Sequence, residues 1–432
     1  MKVGILGAGL TGLTLGYLLK ERGVDFEILE KDIECGGLCK TIQEQGFTFD
    51  IAGGHIIFSK DKKVLNFMLN LLGDNKIRHR RNAKILYNDY VIKYPFENGL
   101  ADLPPKENFE CLNEFIKTLN QNHEKPKHFG EWIYQTFGKG IAEKYMIPYN
   151  EKIWNFKTQD MATFWVDGRV PKPPSEDIIK SSLGIGTEGY IHQLYFYYPK
   201  RGGIQSLIKS MEEKIKYSIT KNFEIKSIKR ENNKWIIFNG KEKKEVDKII
   251  STIPIFDLIK ILDDVPKHVI NAINNLKYNS LITVMLGLDV NKLNDFHWLY
   301  IPDKNILTHR VIFPKNHSKY MTPKGKSSVV AEITYNEGDA ISKIRNKGII
   351  EHTVNGLHKR KIIDKDTVCY TKIIKSKYAY VVYDLNYQKN IKIINDFFKD
   401  LGIELCGRFS EFKYLNMDAC IRSAMNCIKN LK

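Results

Sequence analysis

The sequence lacks any apolar run of about 18 residues, so no membrane-spanning helix is expected. It lacks internal repeats of about 20 to 50 residues, which excludes solenoids and propellers. It also lacks collagen-like, disordered or low-complexity bias. Hydrophobic residues make up 43% and charged residues 27%, the proportions of an ordinary globular protein. No zinc finger, recognition helix or aromatic RNA-binding motif is present, so the net charge of +17 does not argue for nucleic acid. Lysine-rich stretches such as KEKK at 241–244 are expected at a solvated hairpin tip, and a positive field also draws in small anions. The N-terminus lacks the unbroken apolar core of a signal peptide, because glycines interrupt KVGILGAG. The seven cysteines (35, 39, 111, 369, 406, 420 and 427) are odd in number and scattered. Cys35 and Cys39 have no second pair to complete a zinc site, so no metal is expected. Free thiols in a reducing cytoplasm fit this pattern.

What is present begins at the first residues. VGILGAGLTGLTLGYLLKERG reads as a strand, a tight turn and a helix. Gly7 permits the turn, Gly9 lets a pyrophosphate approach the backbone, and Gly12 lets helix and strand pack closely. The helix N-terminus presents a partial positive charge to phosphates. A second strand, VDFEILE, ends in Glu30, whose carboxylate is placed to take the ribose hydroxyls of an adenosine. Together these predict dinucleotide binding. Two later glycine pairs, Gly36-Gly37 and Gly53-Gly54, the latter followed by His55, resemble the amine-oxidase-like flavoprotein superfamily. There the second pair lets the backbone approach the flavin. VDKIISTIP at 246–254 and Gly407-Arg408-Phe409 resemble the later segments of the same domain, which favours FAD over NAD.

At 432 residues the chain is long enough for two or three domains. The expected class is α/β: a Rossmann-like FAD-binding domain from residues 1–90, 195–260 and 372–432, an inserted helical domain at 91–194, and an antiparallel β-sheet domain at 261–371. Residues 61–73 have the apolar spacing of a helix ending at Gly73. SLITVMLGLDV and SSVVAEITY read as strands.

The stretch YMIPYNEKIWNFKTQDMATFWVDGR, residues 145–169, is too aromatic for a linker and too polar for plain core. It combines flat rings, the amide of Asn150 and the cation of Arg169, the wall of a pocket for something planar and anionic. GGHIIFS (53–59), YPFENG (94–99), PYNEKIW (148–154), GRV (168–170), YPKRGG (198–203), WLYIP (298–302) with Arg310, and GRF with Tyr414 follow one another along the chain. In this order and spacing they resemble the UDP-galactopyranose mutase family, the longer eukaryotic-like branch more than the short bacterial one.

That resemblance implies roles. Tyr94, Glu97, Asn150, Trp154 and Trp298 would surround the nucleotide end of a UDP-sugar. Arg169 and Arg310 would grip its diphosphate, with hydroxyls from Tyr300, Tyr380 and Tyr414. His55 and Phe58 would lie beside the isoalloxazine, and Arg408 would contact the flavin or the sugar. Gln193 would approach the substrate. Glu97 and Asp418 depart from the amides of the family pattern, and an acid donates a hydrogen bond only when protonated. The family's chemistry is a ring contraction of UDP-galactopyranose to UDP-galactofuranose, by attack of N5 of reduced FAD on the anomeric carbon, with NADPH or NADH as reductant. It implies a part in cell-surface polysaccharide biosynthesis, and a homo-oligomer is compatible with it. Read singly, Trp165 is a packing residue, His55 a buried structural histidine, and Arg169 or Arg310 a cap or an ion-pair partner. The competing reading for the whole is an FAD-dependent oxidase of the protoporphyrinogen or amine oxidase type.

Overall fold

The computed structural model describes residues 1–431 apart from 168, 171 and 189–193, so Gly168 and Gln193 lie outside the described residues. The strand Lys2–Leu6 is followed by the helix Leu10–Glu21 and the strand Asp25–Leu29. The strand Lys2–Leu6 runs parallel to Asp25–Leu29 on one side and to Lys248–Ser251 on the other. Ile219–Thr220 and Ile403–Leu405 complete a parallel sheet of five strands. The turn between the first strand and helix needs its glycines. Gly7 has φ +95°, and a Cβ on Gly12 would stand 1.9 Å from the Gly7 carbonyl oxygen. The Leu10–Glu21 helix packs on Met417–Asn430 and Gln205–Ile215, through the cluster that includes Leu13, Met211 and Ile421.

The helix expected at 61–73 spans Lys62–Leu72. Asp61 caps it, its carboxylate accepting from the amides of Lys63 and Val64, and Gly73 ends it at φ +53°. KEKK divides between the turn and the edge of a hairpin: Lys243 opens the strand Lys243–Val246, and Lys244 pairs with Glu27 at 2.8 Å.

The second sheet has seven strands. Its centre is Lys277–Leu288, which pairs antiparallel with Ser327–Tyr335 and with Val368–Val382. Arg310–Ile312 and Trp298–Tyr300 extend it, and the hairpin Ala83–Tyr87 and Tyr90–Lys93 forms its far edge. The sheet expected to be antiparallel is therefore mixed, because Trp298–Tyr300 pairs parallel with Ala83–Ile85. That strand arrives from a distant part of the chain, so no hairpin dictates its direction. The same pairing puts Ala83–Tyr87, a segment expected above within the FAD-binding domain, in this sheet.

Helices Pro105–Leu119, Phe129–Ile141, Ile147–Trp154 and Ser175–Ser182 fill the inserted region. A π-turn, Ala142–Met146, precedes Ile147–Trp154. Pro148 offers no N–H to the Lys144 carbonyl, and the ladder widens at this point. The Ile147–Trp154 helix is fastened to the sheet on its far side. Lys152 Nζ donates to the carbonyls of Ile301, Asp303 and Thr308 at 2.8, 2.7 and 2.7 Å. The buried Asn279 amide donates to the carbonyls of Ile153 and Trp154 at 2.9 and 2.8 Å. Lys152→Met keeps the apolar stem but leaves three carbonyls without a donor. It is expected to destabilise the fold by about 2–4 kcal/mol in urea unfolding.

Candidate functional site

One cavity of about 1690 Å³ runs from the glycine turn to the Ile147–Trp154 helix. Of the described residues given a cofactor or substrate role above, all line it except Gly12, which packs beneath the turn; Gln193 lies outside the described residues.

At the first end, a Cβ added to Gly9 would meet nothing within 4 Å, so open space lies against the backbone there. No side chain among the described residues caps the Leu10–Glu21 helix, whose first amides are left for an anion. The Glu30 carboxylate accepts from the amides of Ala8 at 2.7 Å and Asp32 at 3.0 Å, and keeps lone pairs for hydroxyl donors. Gly36 bonds from its amide to the Ala8 carbonyl at 2.9 Å, and Gly37 lies against Gly9. Further along, His55 Nδ1 and Arg408 Nε are buried with no partner among the described residues. These features fit an extended dinucleotide such as FAD.

The pair Gly53-Gly54 lines the cavity and also packs against the second sheet. A Cβ on Gly53 would stand 2.1 Å from Glu332 Oε1, and one on Gly54 3.0 Å from Trp298 Nε1. The pair lets this loop close on the second sheet. His55, half-buried, is neutral at pH 7: loss of hydration, then the charge of Arg408, pulls its pKa down to about 4.

The second end is built by sheet register. Tyr300 lies opposite Arg310, and Arg310 opposite Glu332, so the three form a row across neighbouring strands. Glu332 is fully buried and takes a two-pronged contact from Arg310, with Nη2 at 2.9 Å from Oε1. His309 Nε2 is 3.5 Å from the same carboxylate. Burial alone would raise the Glu332 carboxyl; Arg310 and His309 outweigh it and hold it down to about 2.

Arg310 Nη2 also reaches the Tyr380 hydroxyl at 3.4 Å. Tyr380 packs against Tyr414 with centroids 5.9 Å apart. Arg169 lies over the Tyr414 ring at 4.6 Å and bonds to its carbonyl. Arg408 lies over the same ring at 4.5 Å and donates to the carbonyls of Leu415 and Ala379, both at 2.6 Å. Three guanidinium groups thus converge on one tyrosine pair, and among the described residues only Arg310 of the three has a carboxylate partner.

The aromatic residues form a wall beside this cluster. Tyr94 stacks on Tyr300 at 4.7 Å, and Tyr149 meets Tyr300 edge-on at 5.5 Å. Arg81 donates to the Tyr300 hydroxyl at 2.9 Å and lies over Tyr94 and Trp298. Tyr300 therefore belongs to the aromatic wall, its hydroxyl engaged by Arg81. Trp154 meets Tyr414 at 5.2 Å, and its indole N–H donates to Asn150 Oδ1 at 3.2 Å. Asn150 Nδ2 donates to the Met146 carbonyl at 2.7 Å. The Asn150 amide, unpaired to the eye in sequence, is thus used inside its own helix to set Trp154. Trp165 both packs on Phe129 and Trp154 and lines the cavity. Phe58 lines it as well. Asp418 accepts from Ser59 Oγ at 2.8 Å, which ties the loop after His55 to the Met417–Asn430 helix. Arg81, Tyr149 and Glu332 were not singled out in the sequence. Only Tyr149 carried a signal, its place inside PYNEKIW.

The model of the flavin containing amine oxidoreductase family matches residues 10–423, and the chain belongs to that family. The UDP-galactopyranose mutase of Mycoplasma pneumoniae is 26% identical over 168 residues, 36% of this chain and 41% of that protein. The match thus spans less than half the length of that curated relative. Among solved structures, reduced UDP-galactopyranose mutase has a TM-score of 0.92 at 24% identity, over 99% of this chain and 93% of that one. Putrescine oxidase bound to putrescine has a TM-score of 0.68 at 15% identity, over 100% and 99%. At these identities the structural likenesses define the fold. Among the described residues no helix is long and apolar enough to cross a membrane.

A proton count follows from His55. The unfolded chain takes up a proton near the ordinary histidine value of 6.5, whereas the folded protein does so only near 4. Stability should therefore fall as pH drops from about 6.5 to about 4. His55→Gln should flatten that part of the denaturation profile, measured by urea midpoints across the range.

Proposed function

We propose that the protein is a flavin-dependent mutase that interconverts UDP-galactopyranose and UDP-galactofuranose. The supporting observation is the convergence of Arg169, Arg310 and Arg408 on the Tyr380–Tyr414 pair, in the same cavity as the glycine turn. Like charges gathered in this way favour an anion, and guanidinium forks match the oxygens of a diphosphate. The wall of Tyr94, Tyr149, Tyr300 and Trp298 offers flat faces to a nucleobase. An oxidase of the amine or protoporphyrinogen type needs an apolar channel in this place, which the guanidinium cluster opposes.

Reduced FAD, when bound, supplies a nucleophilic N5 for the anomeric carbon, with NADPH or NADH as the reductant. Gly7, Gly9, Gly12, Glu30, Gly36 and Gly37 bind the dinucleotide. Arg169 and Arg310 stabilise the charge that grows on the departing diphosphate, and the Tyr380 and Tyr414 hydroxyls add donors. His55, neutral and with Nδ1 unpartnered, orients the flavin. On this reading the enzyme works in the cytoplasm, on a precursor of cell-surface polysaccharide.

Dithionite-reduced protein should convert UDP-galactofuranose to UDP-galactopyranose, and the oxidised protein should not. Turnover that consumes oxygen would instead identify an oxidase. Arg169→Ala should weaken UDP binding at least about tenfold, the loss of one charge-assisted contact, while flavin content stays normal. Unchanged UDP affinity would remove Arg169 from the diphosphate site.

A further inference from the structure

We propose that Glu97 reads the nucleobase as a neutral carboxylic acid, donating its proton to a carbonyl of an imide base and accepting the adjacent ring N–H, so that nucleotide uptake is gated by one proton. The inference rests on the nucleotide-sugar reading above and specifies how its base is held.

Glu97 is 2% exposed and lines the cavity. It sits in the short turn Phe96–Asn98, which is fixed on both sides. Phe96 stacks on Tyr145 at 5.1 Å, and Asn98 Nδ2 donates to Thr187 Oγ1 at 2.5 Å. The turn therefore cannot swing its carboxyl out to water. No side chain among the described residues donates to that carboxyl; its own backbone amide is its sole favourable contact. The titratable group that shares its field is Tyr145 from the π-turn, whose own neighbours in the cavity are Tyr94 just after the strand Tyr90–Lys93, Tyr149 from the Ile147–Trp154 helix and Tyr300 from the second sheet. Burial pushes the Tyr145 and Tyr149 hydroxyls well above their ordinary value, so both stay neutral. The cation on this side is Arg81, which is engaged with the Tyr300 hydroxyl and the rings of Tyr94 and Trp298.

An ionised carboxylate without donors is costly in such a place. Burial accordingly pushes the Glu97 carboxyl up to about 7. The neutral acid carries one O–H donor beside one carbonyl acceptor. The imide edge of uracil or thymine carries a carbonyl acceptor beside an N–H donor, so the two edges form a pair of hydrogen bonds. The carboxylate is acceptor-only and would face the base carbonyl with like polarity. It suits a base with two adjacent N–H donors, such as guanine. The sign follows: below pH about 7 the acid is ready to bind, and above it each bound nucleotide must bring in a proton. Affinity then falls by up to about tenfold per pH unit.

The test uses the full-length flavoprotein and UDP, with dissociation constants measured by calorimetry between about pH 6 and pH 8.5, for the native chain and for Glu97→Gln. Glutamine keeps one donor and one acceptor at every pH. Ionisation of the diphosphate is common to both proteins, so their ratio isolates Glu97. Across that range the native affinity is expected to weaken at least about tenfold relative to the variant, the two being within about threefold at the acid end. A second measurement needs no variant: above pH about 7.5, UDP binding by the native protein should take up close to one proton, read from the buffer dependence of the heat. Parallel pH profiles with no proton uptake overturn the proposal. GDP binding that tightens as pH rises overturns it as well, because it identifies an ionised Glu97 and a different base. Failure of both proteins to bind UDP at any pH overturns it together with the nucleotide-sugar reading.

Discussion

The contact between Arg310 and Glu332 is the constraint around which the second half of the cavity is built. Sheet register places the two side chains opposite each other on adjacent strands, with Tyr300 next in the row. A fully buried carboxylate is tolerated only when paired and bonded, and Arg310 supplies both. The pair then dictates what can lie against it. Gly53 is in contact with the carboxylate, where any side chain would collide, so the loop carrying His55 is drawn onto the sheet at this one place. Through that contact the dinucleotide end and the arginine cluster share a common frame.

The remaining arginines are held in another way. Arg408 is oriented by two backbone carbonyls, and Arg169 by the Tyr414 carbonyl, both beneath the same aromatic ring. Carbonyl dipoles fix a guanidinium without neutralising it. The positive charge is therefore aimed before a ligand arrives, which is the arrangement that stabilises a developing anion with little reorganisation. Lys152 is likewise held by three carbonyls on the outer side of the Ile147–Trp154 helix, though there burial pulls its pKa down to about 7.

The dinucleotide turn was legible in the sequence because its parts lie close together and each spacing answers a backbone need. Gly7 takes a positive φ, Gly12 admits the Gly7 carbonyl, and Gly9 leaves open space. The aromatic stretch at 145–169 was legible for a similar reason, since rings, amide and cation sit on neighbouring turns of one chain segment. Glu332 and Arg81 were not legible. Glu332 acquires its partner from strand register and Arg81 meets Tyr300 from a distant segment, and an acid in SSVVAEITY looks like any strand residue. The packing of Gly53-Gly54 was hidden for the same reason: the crowding atoms come from Glu332 and Trp298, far away in sequence. The parallel pairing of Trp298–Tyr300 with Ala83–Ile85 likewise depends on two segments that no local pattern connects.

The five-stranded parallel sheet has a bearing on how the chain matures. Its N-terminal strand is flanked by Lys248–Ser251, and the next position outward is taken by Ile403–Leu405. Just after that edge strand, Gly407 packs on Thr11 and Arg408 lines the cavity. The glycine turn is local in the chain, yet the sheet that supports it is complete only once Ile403–Leu405 has paired with Lys248–Ser251. Closing such long loops is the slow part of assembling a parallel sheet. Dinucleotide binding at the turn is thereby coupled to contacts between segments far apart in sequence, and a chain that has not yet made them exposes unpaired strand edges of the kind chaperones protect.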